Sequence, residues 1–138
     1  MKHNLILRIT AKLLIPFIIL FALYVQFHGD FGPGGGFQAG VIFSSAFILY
    51  TLVYGLETAE RIIPLHVLKK FASLGVLIYA GTGVAGLLLG GQFLNYSVLA
   101  EASITGQHIG IVVIELGVGI TVAAVMIMIF FLFSERGR

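Results

Sequence analysis

Apolar residues along this chain fall into four long runs. They extend from about Ile9 to Phe27, Phe37 to Leu56, Leu68 to Leu89 and Ile109 to Phe133. Each is close to the ~20 residues that carry an α-helix across ~30 Å of hydrocarbon. A backbone in lipid has no water to bond, so a spanning segment must pair its own amides, and a helix does so within one segment. The alternating pattern of barrel strands is absent. The pattern predicts an all-α integral membrane protein, with four transmembrane helices in a single domain covering residues 1–138. The first run follows a basic start, as a signal peptide would. No small-residue cleavage site follows it and further spans do, so it reads as a retained helix.

The connections between runs set the orientation. Lys2, Arg8 and Lys12 stand at the start of the first run, Arg61, Lys69 and Lys70 between the second and third, and Arg136 and Arg138 after the fourth. The loops after the first and third runs hold no Lys or Arg. All eight basic residues therefore fall on one side. That side should be cytoplasmic, with both termini there, in a multi-pass protein of the plasma membrane.

Composition agrees with lipid as the solvent. Of 138 residues, 59% are hydrophobic and 10% charged, with mean hydropathy +1.07; soluble domains carry about 25% charged residues. The net charge of +2 does not indicate nucleic acid, because the few basic residues flank apolar runs. There is no cysteine, hence no disulfide or thiol chemistry, and no tryptophan. Tyr24, Tyr50, Tyr54, Tyr79 and Tyr96 are the candidate interfacial anchors. Pro16 marks either a kink between an interfacial start and the first span, or the start of the helix proper.

Small residues recur at helical spacing in the last three spans. The second span carries Gly36, Gly40, Ser44, Thr51 and Gly55. The third carries Ala72, Gly75, Tyr79, Thr82 or Gly83, and a GxxxG pair, Gly86 and Gly90. The fourth carries Gly106, Gly110, Gly117, Thr121 and Ala124. Such stripes let helix backbones approach closely, within the bundle or against another membrane subunit.

Two features carry candidate chemistry. The first is the external connection His28–Gly40, HGDFGPGGGFQAG, with five glycines and a proline within residues 29–36. It cannot continue a helix cheaply, so the chain must turn sharply or approach another chain there. Gly32, Pro33, Gly34, Gly35, Gly36, Phe37, Gln38 and Gly40 are read as shaping the entrance to the second helix and its contacts with other subunits. His28 and Asp30 stand at the membrane edge, as candidates for an ion or proton entrance. No phosphate-loop pattern is present.

The second is Glu115, the one ionisable residue well inside an apolar run. A charge at membrane depth is costly, so the carboxyl must face protein or water, or keep its proton. His108 precedes it by seven residues, on the same helix face about 10 Å away. Together they suit the lining of a proton or cation route, with His108 able to titrate near neutral pH. The alternative is a carboxyl bonded to a neighbouring helix for assembly alone. Glu57, Glu60, Arg61, Glu101, His66 and His3 read as solvated or interfacial. No nucleophile stands with a base, and the histidines are too scattered for zinc. No enzyme activity, metal or cofactor is expected.

The segment HGDFGPGGGFQAGV, His28–Val41, resembles the signature of the B subunit (MnhB-type) of Mrp-type multisubunit cation/proton antiporters. The similarity extends over essentially the whole chain: its length, its four spans, the motif after the first, and Gly106-Gln107-His108 before the last. The resemblance implies one membrane subunit among several in an assembly that exchanges cytoplasmic Na⁺ for external H⁺, in pH and sodium homeostasis. Partners would be the other membrane subunits, the bilayer and the transported ions. Related subunits serve redox-driven ion pumps such as membrane-bound hydrogenases. In the family, the large subunits hold the main lysine and glutamate relays; this chain has no intramembrane lysine to pair with Glu115. A self-sufficient four-helix exporter is the other transporter class considered, and it would place its essential glutamate in the first helix, where this chain has no acid. A purely structural scaffold is the third reading.

Overall fold

The computed structural model describes residues 4–29 and 32–137. Lys2, His3, Asp30 and Arg138, read above as topology or site residues, lie outside the described residues. The described chain is helical: α1 (Leu5–His28), α2 (Gly36–Tyr54), α3 (Leu56–Ile62), α4 (Leu65–Leu88), a 3₁₀ turn (Tyr96–Leu99) and α5 (Ser103–Arg136). No strand occurs among these residues. Four helices, α1, α2, α4 and most of α5, are long and apolar enough to cross a membrane.

Their limits follow local chemistry. Asn4 caps α1, its side chain accepting from the Leu7 amide at 3.3 Å. Pro16 lies in the interior of α1, and is exposed. It is therefore not a helix-start proline, and its missing N–H leaves the Lys12 carbonyl without the usual partner. α2 stops at Gly55, whose φ of 96° a residue with a side chain rarely adopts. Beyond it α3 forms a separate short helix where a plain connection was expected. Leu56 and Ala59 point inward from α3, and Glu57 and Arg61 outward.

The four long helices form a row in the order α1, α2, α5, α4, so that α5 packs against both α2 and α4, and α1 rests mainly on α2. Near the termini, Leu56, Ala59, Leu68, Ala124, Ile127 and Phe131 make one buried cluster. Arg8 lies over the Tyr54 ring at 5.1 Å at the same end.

The packing rule is the reverse of that in water. Buried positions are mostly small: Ala11, Ala22, Ala39, Ala46, Ser44 and Thr51. Large apolar side chains such as Leu13, Phe17, Leu20, Leu77 and Phe133 face outward. Lipid offers no hydrophobic drive to bury them, so close backbone approach decides which faces meet. Gly75 of α4 meets Gly117 and Thr121 of α5, and Gly40 of α2 meets Gly119 and Val122. The Thr121 hydroxyl donates to the Ala72 carbonyl across the α4–α5 seam at 3.0 Å. Ser44, Thr51 and Thr82 instead donate within their own helices.

Not every member of the small-residue stripes joins a seam. Gly86 sits under the backbone of Gln92 and Asn95, while Gly90 lies past the end of α4 with open space around it. That GxxxG pair shapes a turn and not a helix–helix contact. Tyr79 is exposed, and Gly55 is the α2–α3 break.

α5 has 34 residues, about 51 Å at 1.5 Å per residue, well beyond hydrocarbon thickness. It starts at Ser103, earlier than the apolar run suggested. Its first turns are held by the preceding segment, since Gly106 lies against the Tyr96 carbonyl and Gly110 against the Tyr96 ring. Burial there, and secondarily Tyr79, push the Tyr96 phenol above its ordinary value.

Candidate functional site

The glycine-rich connection and Glu115, far apart in sequence, meet in space. α1 ends at His28, and the chain reverses so that the Gly35 amide donates to the Val25 carbonyl at 3.1 Å. Gly35 adopts φ 121° and ψ −174°, a region open essentially to glycine alone. The Gly35 carbonyl then accepts from Ala39 at 3.0 Å, within the first turn of α2.

This tight reversal leaves a notch that α5 fills with Glu115. A Cβ placed on Gly29 would stand 2.9 Å from Glu115 Oε1, and one on Gly35 would stand 3.1 Å from the same oxygen. A Cβ on Gly36 would overlap the Glu115 carbonyl oxygen. Both the carboxylate and the backbone of Glu115 are thus fitted against glycines that a side chain would displace. Gln38 Oε1 borders the same space, 3.6 Å from the Gly35 Cβ position. Glu115 is half-buried and has an interaction partner in the fold.

The depth of Glu115 follows from helix length. From Glu115 to Arg136 α5 covers roughly 32 Å, about the full hydrocarbon thickness. The carboxylate sits at the mouth of the α1–α2 hinge. α5 continues about 18 Å past it to Ser103, so the hinge is recessed beside the α4–α5 end of the bundle.

The other predicted residues take separate positions. His28 stacks on Tyr24, with ring centroids 5.1 Å apart, and its Nε2 lies beside Gly32. His108 is exposed on α5, two turns nearer the helix start than Glu115, and it too has an interaction partner. Phe37, Gln38 and Pro33 are exposed, while Gly35, Gly36 and Gly40 are buried. Asp30 lies outside the described residues. The fold thus gathers Glu115, Gly29, Gly35, Gly36 and Gln38 at one point, with His28 on the other flank of the hinge and His108 further out along α5.

Sequence reading missed Gln26. It stands one turn before the hinge on α1, is 7% exposed, and places Oε1 against Gly119 of α5. A polar side chain in the last turn of an otherwise apolar helix was its only trace in the sequence. Among the described residues no group of three or more His, Cys, Asp or Glu side chains is arranged to hold a metal ion.

Fold and site define a small multi-pass membrane protein, with an acid-bearing helix seated against a glycine hinge. The family described as a domain related to the MnhB subunit of Na⁺/H⁺ antiporter matches residues 6–128. A Staphylococcus haemolyticus (strain JCSC1435) protein named for antiporter subunit mnhB2 is 34% identical over 142 residues, covering 97% of each chain. Proteins of the same name from Staphylococcus epidermidis (strain ATCC 12228 / FDA PCI 1200) and Staphylococcus aureus (strain Newman) are 33% and 35% identical, each over 94% of both chains. The chain belongs to the MnhB family. It is an antiporter-type, multi-pass protein of the plasma membrane.

Proposed function

We propose that the chain is one membrane subunit of a multisubunit Mrp-type antiporter that exchanges cytoplasmic Na⁺ for external H⁺, in pH and sodium homeostasis. In this reading both termini are cytoplasmic, and the glycine hinge faces the outside. Glu115 then stands at the external mouth of a cation or proton route. His108 and His28 flank the approach, as does Asp30 by its place in the sequence. The observation that carries the proposal is the seating of the Glu115 carboxylate against Gly29 and Gly35. A carboxylate near the hydrocarbon edge can exchange protons or cations with water at lower cost than one at the bilayer centre. Family membership and near full-length relatives named as antiporter subunits support the assembly part of the reading.

The test is Glu115→Gln and Glu115→Ala in the intact complex, with cation/proton exchange followed in everted vesicles over a range of pH. Glu115→Gln keeps the shape and removes the charge, so assembly should be normal while exchange falls by about tenfold or more. Wild-type exchange in both variants across the pH range removes Glu115 from the ion route and leaves it a packing group.

A further inference from the structure

α4 closes one end of the row and packs chiefly on α5, which leaves one of its faces turned outward. His66, Lys70, Ser73, Leu77, Val84 and Leu88 recur along it at steps of three, four and seven residues, and so share one side of the helix. Lys69 adjoins them. His66, Lys69 and Lys70 are exposed, and Leu77, Val84 and Leu88 are 67%, 47% and 82% exposed. About 27 Å of helix separate Lys70 from Leu88, close to the ~30 Å of hydrocarbon. The two ammonium groups and the imidazole therefore gather where the helix leaves the apolar layer, with aliphatic side chains lining it from there on.

This face has no counter-charge on its own helix, because α4 contains no Asp or Glu. Other cations at that end are better provided. Arg8 lies over the Tyr54 ring, Arg61 shares α3 with Glu57 and Glu60, and Arg136 follows Glu135. A partner helix approaches over small residues, and Gly75, Gly83 and Gly86 already fit against α5, the Phe93 ring and the turn after α4. Exposed aliphatic side chains beside two adjacent lysines match a phospholipid instead. A zwitterionic headgroup brings its own cation, whereas an anionic one supplies the missing negative charge.

We infer that the outer face of α4 is the seat of one anionic phospholipid, its headgroup held by Lys69, Lys70 and His66 and an acyl chain laid along Leu77 and Val84. The inference rests on the reading above of this end as the inner-leaflet side, and adds the lipid class and the face it takes.

The chain has no tryptophan, so Leu77→Trp provides a single fluorescent reporter on this face. The purified full chain in mixed micelles is titrated with dibrominated phosphatidylglycerol or dibrominated phosphatidylcholine, each of which quenches the indole on contact. A lysine beside an anionic headgroup is worth roughly fivefold in association. Phosphatidylglycerol should therefore be preferred by about fivefold or more at low ionic strength, and the preference should shrink as salt screens it. Lys69→Gln combined with Lys70→Gln should bring the ratio to about one, while Lys12→Gln leaves it unchanged. Equal quenching by the two lipids, or a preference that survives the double substitution, overturns the inference. In the complete complex in native membranes, a photoreactive benzophenone amino acid in place of Leu77 should form phospholipid adducts; capture of another polypeptide there overturns the inference as well. The micelle titration depends neither on cation/proton exchange nor on the orientation of the chain, so failure of the lipid seat and failure of the antiporter reading are told apart.

Discussion

Replacing Gly36 with alanine adds one methyl group at the closest approach of α2 and α5. A Cβ built there would overlap the Glu115 carbonyl oxygen and lie 2.8 Å from its carbonyl carbon and 3.0 Å from its Cα. All three are backbone atoms of a helix packed on both sides, so no rotamer change relieves the clash. The helices must separate by roughly an ångström, and overpacking of this kind costs about 1–3 kcal/mol, here at the upper end. About 3 kcal/mol is a hundredfold shift in the folding equilibrium. Gly81 provides the control. It lies within α4, and a Cβ there meets nothing within 4 Å. Gly81→Ala should be neutral, or stabilising by about 0.5–1 kcal/mol through the better helix propensity of alanine. The assay is reversible unfolding of the purified chain in mixed micelles, followed by circular dichroism as the denaturing detergent fraction rises. Equal midpoints for Gly36→Ala and Gly81→Ala would refute the claim that the α2–α5 seam is set by backbone contact at Gly36.

Other substitutions probe the remaining contacts. Gly29→Ala puts a Cβ 2.6 Å from Gly35 Cα and 2.9 Å from Glu115 Oε1; it should displace the carboxylate and lower exchange in the intact complex by about tenfold or more. Tyr54→Phe removes a buried hydroxyl that has no partner among the described residues; it should be neutral or stabilising by about 1 kcal/mol in the same unfolding assay, because an unsatisfied polar atom is lost while the ring under Arg8 remains. Thr121→Val deletes a side-chain hydrogen bond across the α4–α5 seam, and should cost about 0.6–1.7 kcal/mol. Tyr96 should ionise above the ordinary phenol range in a tyrosinate absorbance titration. Its neutral form is favoured in the fold, so the associated stability is complete below the ordinary phenol pKa and is lost as pH rises through the raised one.

The four spans were legible because each is a long apolar run, and lipid imposes a length that no other environment requires. The interior was less legible. In a soluble helix a stripe of large apolar residues reveals the buried face, but here large apolar residues cover the outside, as Leu13, Phe17 and Leu77 do. Small residues were the correct cue, and Gly40, Gly75 and Gly117 do mark the seams. The same cue misled at Gly86 and Gly90, because a glycine that ends a helix has the same spacing as one that packs it. α3 escaped notice because seven residues are too few to show a period against the neighbouring spans. The apolar run begins only at about Ile109 because Gly106, Gln107 and His108 are not apolar enough to extend it; the Tyr96 ring folded over Gly110, a contact made across the preceding turn, packs on these first turns of α5.

The meeting of Glu115 with the hinge was out of reach of any local reading, yet it gives one reason for both features. An acid near the membrane edge needs a polar, shaped surface, and a reversed chain of glycines supplies backbone groups at a distance no side chain would permit. Conversely, a hinge with Gly35 at φ 121° is strained for any other residue and needs something to pack against. Glu115 fills the notch, and its own carbonyl abuts Gly36. If the carboxylate served only as filling, a glutamine of equal shape would replace it without effect on exchange. If it serves as an ion-handling group, the hinge sets its position, and Gly29→Ala should reproduce the exchange defect of Glu115→Gln while leaving the charge in place. Agreement between a variant that removes the charge and one that only moves it would tie the geometry of the hinge to transport more firmly than either result alone.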